Sequence, residues 1–162
     1  MYQSQLIDRW LGRRHSDSGE REDLNMGIVR DDLAELPLFS EASRSELAVI
    51  RRHLTQLSLP AGRVLVQEGA RGDQFMIIAE GQATVSRGGR TVATLGPGDL
   101  VGEMALLDHD RAGRRNATVV ARTDAVVYAG TPLEFRQILE AAPSVARKVR
   151  QMAAARTVGR AA

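Results

Sequence analysis

Between Leu57 and about Tyr128 the chain is cut by glycine at close intervals, and this punctuation constrains the fold more than any other feature. The breaks fall at Pro60-Ala61-Gly62, Glu68-Gly69, Arg71-Gly72-Asp73, Glu80-Gly81, Gly88-Gly89 and Gly96-Pro97-Gly98-Asp99. The apolar runs between them are short. Val64/Val66, Phe75/Ile77, Ala83/Val85 and Val92/Leu95 therefore read as strands bounded by turn residues. Many short strands at this spacing predict an antiparallel sandwich or jelly roll, because closing two sheets over each other avoids exposed edges. At 43% apolar residues the 162-residue chain can bury such a core, with room for one ordinary domain and short extensions.

Helical patterns flank the strands. Residues 31–55 read as helical: Leu33, Leu36, Leu38 and Phe39 precede Ser43 and Glu46, which have capping-box spacing ahead of Leu47, Val49, Ile50 and Leu54. After the strands, Thr131 is a natural N-cap with Pro132 at the first helical position. Phe135, Ile138 and Leu139, then Val145, Val149 and Met152, recur at helical spacing on either side of Ala142-Pro143. The predicted fold class is α+β, an antiparallel β-roll or jelly roll flanked by N-terminal helices and a C-terminal helix pair. The expected organisation is a partly helical extension over 1–30, a domain over 31–158 and a tail over 159–162. Within the domain the roll spans about 57–130 and the C-terminal helices about 132–158. In the extension, Leu6, Ile7, Trp10 and Leu11 share one helical face, read as packing on the domain or a partner rather than on a membrane.

Composition excludes several functions. There is no cysteine, hence no disulfide, thiolate metal site or cysteine nucleophile, which fits a reducing cytoplasm. No apolar run approaches the roughly 20 residues of a spanning helix. The 22 basic and 20 acidic residues leave a net charge of +2 without a concentrated basic face, so direct DNA binding is not expected. All the basic residues but Lys148 are arginine. The three histidines, His15, His53 and His109, are scattered, which argues against a metal-dependent cupin, and no catalytic triad or paired acid suggests an enzyme.

The segment that carries chemistry is Gly102-Glu103-Met104-Ala105-Leu106-Leu107, followed twelve positions after Glu103 by Arg115-Asn116-Ala117-Thr118. A glycine that permits close backbone approach, followed by a helical turn, leaves unpaired N–H groups aimed at one spot, which attracts a phosphate. An arginine returned to that spot neutralises the anion and donates in a fork. A carboxylate there makes sense only beside a hydroxyl donor such as a ribose. The spacing points to a sugar-phosphate ligand.

With Leu38-Phe39-Ser40, Pro60-Ala61-Gly62, Glu68-Gly69, Gly72-Asp73-Gln74-Phe75, Gly81, Gly98-Asp99, the cassette and Arg115-Asn116-Ala117-Thr118 in this order, the chain resembles the cyclic-nucleotide-binding domain family. This is the type found in the bacterial cAMP receptor protein and the regulatory subunit of protein kinase A. The resemblance runs from about Leu33 to Pro143. It implies that Glu103 accepts the ribose 2′-hydroxyl, that Gly102 and Ala105 offer N–H groups to the cyclic phosphate within a ligand-facing cassette that includes Met104, and that Arg115 pairs with the phosphate. Asn116 occupies a position where the family touches ligand, and Val85 and Val92 match positions near the base.

The chain departs from the family pattern at several points. The loop Asp108–Arg114 is longer, which leaves Arg111 and Arg114 as alternatives to Arg115. Val101 stands where phenylalanine is usual, which would loosen the packing that couples the cassette to the helices. Asn116 matches neither common base-selective residue, so cGMP remains open beside cAMP. Thr157 is the nearest candidate for capping the base. The expectation is a cytoplasmic, bacterial, stand-alone sensor, not an enzyme, with no metal and no helix-turn-helix or other effector domain. It would bind cAMP, move its C-terminal helices as a lid, and signal to a separate protein partner, with a homodimer through the C-terminal helix. The alternative is a degenerate domain serving as a protein-interaction scaffold without ligand.

Overall fold

The computed structural model describes residues 32–71, 74–102 and 114–158. Among them eight strands form two four-stranded antiparallel sheets: β1 (Thr55–Leu59), β2 (Val64–Val66), β3 (Phe75–Glu80), β4 (Ala83–Arg87), β5 (Arg90–Leu95), β6 (Leu100–Val101), β7 (Thr118–Ala121) and β8 (Ala125–Gly130). One sheet is ordered β1-β8-β3-β6 and the other β2-β7-β4-β5. The β-roll expected from the glycine spacing is the architecture observed.

Strand β3 shows how one run of sequence serves two cores. Phe75, Met76, Ile77 and Ile78 are all buried, and successive strand side chains point to opposite faces. Phe75 and Ile77 join Leu33, Phe39, Ile50, Leu100, Phe135 and Val149 in a cluster beneath the helices. Met76 and Ile78 join Leu65, Val101, Val119, Ala121 and Val127 between the sheets. A strand covered on both faces needs an uninterrupted apolar run, and that is what the sequence supplies.

The helical elements are two short 3-10 turns (Asp32–Glu35 and Pro37–Phe39), α1 (Arg44–His53), α2 (Pro132–Ala141) and α3 (Pro143–Val158). The helical reading of 31–55 is therefore corrected at both ends. Leu36, held extended at ψ 134° ahead of Pro37, separates the two turns. At the other end Leu54 is extended and Thr55 already pairs with Ala129 on β8.

Both predicted N-caps form full capping boxes. Ser43 Oγ accepts the Glu46 N–H at 3.2 Å, and Glu46 Oε2 accepts the Ser43 N–H at 2.7 Å. That backbone N–H holds the Glu46 carboxyl below the ordinary carboxylate range, against partial desolvation and with help from Ser144. This capping contribution is present above the ordinary value and is lost as pH falls below it. On α2, Thr131 Oγ1 accepts the Glu134 N–H at 3.2 Å and Glu134 Oε2 accepts the Thr131 N–H at 2.7 Å. Thr131→Ala is expected to cost about 1 kcal/mol, read as a lower midpoint in urea denaturation at unchanged slope.

Helix α3 docks on the N-terminal elements of its own chain. Val145 and Val149 are buried in the helical cluster and Met152 packs against it. Lys148 Nζ donates to the Pro37 carbonyl at 2.7 Å and to Ser40 Oγ, and Ser144 Oγ meets Glu46 Oε2 at 3.2 Å. The Val145/Val149/Met152 stripe thus packs on the helical cluster of its own domain. Val101 also departs from expectation. It faces the core between the sheets, and the neighbouring Leu100 faces the helices, as alternation along β6 requires.

Candidate functional site

The site is assembled where β6 ends and β7 begins. Strand β6 pairs with β3 through Met76↔Val101 and Ile77↔Leu100, which brings Gly102 beside Gln74. Gly102 has φ +88°, a conformation L side chains rarely adopt, and a Cβ there would collide with Arg115 Nη1 and lie 2.8 Å from the Gln74 carbonyl oxygen. Glycine at 102 is therefore fixed by close approach as well as by conformation.

Arg115 is held at both ends. Its backbone is laced to the loop after β2: the Gly69 N–H donates to the Arg115 carbonyl at 2.8 Å, and the Arg115 N–H donates to the Ala70 carbonyl at 2.7 Å. Its guanidinium is buried, the residue being 8% exposed, and donates from Nη1 to the Gly102 carbonyl at 2.9 Å and from Nη2 to the Gln74 carbonyl. These two carbonyls fix the plane and direction of the guanidinium fork. Arg114 is different. It is exposed, and its Nη1 donates to the Gly69 carbonyl at 2.9 Å. Of the two described arginines at this corner, Arg115 carries the buried head group.

The remaining expected site residues are distributed unevenly. Asn116, half-buried, follows Arg115 directly, and its carbonyl accepts Arg87 Nε at 3.1 Å. Val85 is half-buried on β4, opposite Ala93 and Val119, and packs against the core between the sheets. Val92 is 53% exposed and sits at a register break, where Val85 pairs with Ala93 and Ser86 with Thr91. Glu103, Met104 and Ala105 lie outside the described residues, as do Arg111, His109 and the Thr157 side chain. The structure thus brings Gly102, Arg115 and Asn116 together, with Val85 on the adjoining sheet.

The reading of motifs missed three participants: the Gln74 carbonyl, Glu68 and Arg87. Glu68-Gly69 and Gln74 stood in the motif series, but their partners lie 20 to 50 positions away in sequence and no local pattern announces them. Among the described residues no group of three or more His, Cys, Asp or Glu could hold a metal ion, and no helix is long and apolar enough to cross a membrane.

The family model for the cyclic nucleotide-binding domain matches residues 56–142. A cyclic nucleotide-gated potassium channel of Rhizobium etli is 35% identical over 127 residues, covering 78% of this chain and 35% of the channel. The cAMP-dependent protein kinase regulatory subunit of Schizosaccharomyces pombe is 37% identical over 92 residues, 56% of this chain and 22% of that protein. The chain thus spans about a third or less of the length of these curated relatives. Among solved structures, the catabolite activator protein of Thermus thermophilus superposes with a TM-score of 0.66 at 30% identity, covering 76% of this chain and 59% of that one.

Proposed function

Because the chain belongs to the cyclic nucleotide-binding domain family, we propose that it is a sensor that binds a cyclic nucleotide, cAMP in the first instance, and relays occupancy to a separate protein partner. The observation that carries this reading is the buried Arg115 fork, anchored beside Gly102 where the cassette begins. In this reading the cyclic phosphate is met by the Arg115 guanidinium and by N–H groups of the segment from Gly102 to Ala105, and Glu103 accepts the ribose hydroxyl. Val85 and Val92 lie towards the base and Asn116 beside the phosphate. The kinase regulatory relative named for cAMP supports that nucleotide over cGMP.

The relay follows from packing. Leu100, one residue from the cassette strand's end, and α3, through Val145 and Val149, share a single buried cluster. Ligand entry can shift α3 only through a difference in affinity between its docked and undocked positions. No step of this reading requires catalysis.

A second reading, an unliganded scaffold, is favoured by one observation: the Arg115 guanidinium already has acceptors within the chain. A thermal melt separates the two. Ligand at 100 times its Kd should add about 2.7 kcal/mol of stability, raising Tm by on the order of 10 °C for a domain of this size. A shift with cAMP and not with 5′-AMP supports the sensor. No shift with millimolar cAMP or cGMP supports the scaffold.

A further inference from the structure

The two-residue turn joining β4 to β5 is tied to both flanks of the Arg115 segment. Gly88 and Gly89 both have positive φ, +53° and +79°, the conformation of a tight hairpin whose tip is fixed relative to its strands. From one side of this tip the Gly88 N–H donates to Glu68 Oε2 at 3.0 Å. From the other, Arg87 Nε donates to the Asn116 carbonyl at 3.1 Å. Glu68 is also held through its backbone, its N–H donating to Thr118 Oγ1 at 3.0 Å on β7. Its neighbours Gly69 and Ala70 make the two backbone bonds to Arg115, and Gly69 accepts from Arg114. Residues 68–70, 87–88 and 114–118 therefore close a ring of hydrogen bonds in which Arg115 is the enclosed member.

From this ring we infer that Glu68 and Arg87 are positioning residues for ligand recognition: they hold the β4–β5 turn as a brace that sets where Arg115 and Asn116 stand. The inference rests on the reading of Arg115 as the phosphate partner. A long side chain reaches a buried anion productively only if its Cα is fixed, and displacements of about 1 Å are costly at a charge-recognition site. The head of Arg115 is fixed by Gln74 and Gly102, and its backbone by the loop that Glu68 anchors. Glu68 acts as an acceptor at one oxygen, so an amide oxygen can replace it. Its negative charge is not what the brace uses.

The test is nucleotide affinity by calorimetry, with the ligand-free Tm of each variant measured alongside. Glu68→Ala and Arg87→Ala, both at exposed side chains, are each expected to raise the Kd for cAMP by about 3- to 10-fold, the scale of one ordinary net hydrogen bond. Glu68→Gln, which keeps the acceptor for Gly88, should bind within twofold of the wild type. In an Arg115→Lys background, where the planar fork is already gone, Glu68→Ala should add less than twofold, because residues acting through one another are not additive. A purely structural role would give full additivity and a loss that follows the fall in ligand-free Tm. Unchanged binding in both alanine variants, equal losses in the glutamine and alanine variants, or full additivity would each overturn the brace while leaving the sensor reading intact. A wild-type chain that takes up neither cAMP nor cGMP would overturn both.

Discussion

Replacing Arg115 with alanine is expected to weaken cyclic-nucleotide binding by about 2–5 kcal/mol, roughly 30- to several-thousand-fold in Kd, as for removing one side of a desolvated charge pair. Arg114→Ala should stay within a few-fold, because that side chain is exposed and bonded to the Gly69 carbonyl. The contrast between these neighbours is the informative measurement, since their formal charges are alike while burial and orientation differ. Part of the Arg115→Ala loss comes from leaving the Gly102 and Gln74 carbonyls without their donor. Arg115→Lys separates the contributions: it keeps a positive charge but cannot span both carbonyls and an anion in one plane. Calorimetry that finds wild-type affinity in Arg115→Ala would remove this residue from the site.

The largest effect on stability is expected at Phe75. Its ring is 1% exposed and lies 4.8 Å from the ring of Phe135, joining the first long strand to α2. Phe75→Ala should cost about 3–5 kcal/mol through lost burial and a cavity that neighbouring strands cannot collapse into. Against a total stability of about 5–15 kcal/mol this is severe, and it should appear as a large drop in urea midpoint. Leu133→Ala on the same helix, at a side chain 58% exposed, serves as the neutral comparison. A Phe75 variant losing under about 1 kcal/mol would contradict the packing of the helical cluster on the β3 face.

What was legible in the sequence followed from the range of the interactions involved. Turns, caps and the start of α2 are set by residues within three or four positions. Glycine spacing, Ser43 with Glu46, and Thr131 with Pro132 therefore announced them before any contact was known. That Gly102 and Arg115 meet was legible because the motif carries both. Strand β1 was not, since Thr-Gln-Leu-Ser-Leu is a weak pattern that becomes a strand only through pairing with Ala125–Gly130, some seventy positions later. The two 3-10 turns were read as one helix because their leucines are well spaced, and the pre-proline constraint at Leu36 outweighed that spacing. The brace was least visible: Glu68 reads as a turn residue, and no local pattern links it or Arg87 to the Arg115 segment until the hairpin places them beside it.

The single lysine gives the docking of α3 a chemical consequence. Lys148 carries the chain's one side-chain amine, 22% exposed and occupied with the Pro37 carbonyl and Ser40. An acylating reagent reacts with an unprotonated, unencumbered nitrogen, so the labelling rate at this atom reports how firmly the Pro37 and Ser40 contacts hold it. A chain otherwise built on arginine thus carries one side-chain reporter of that docking, told apart from the terminal α-amine by peptide mapping.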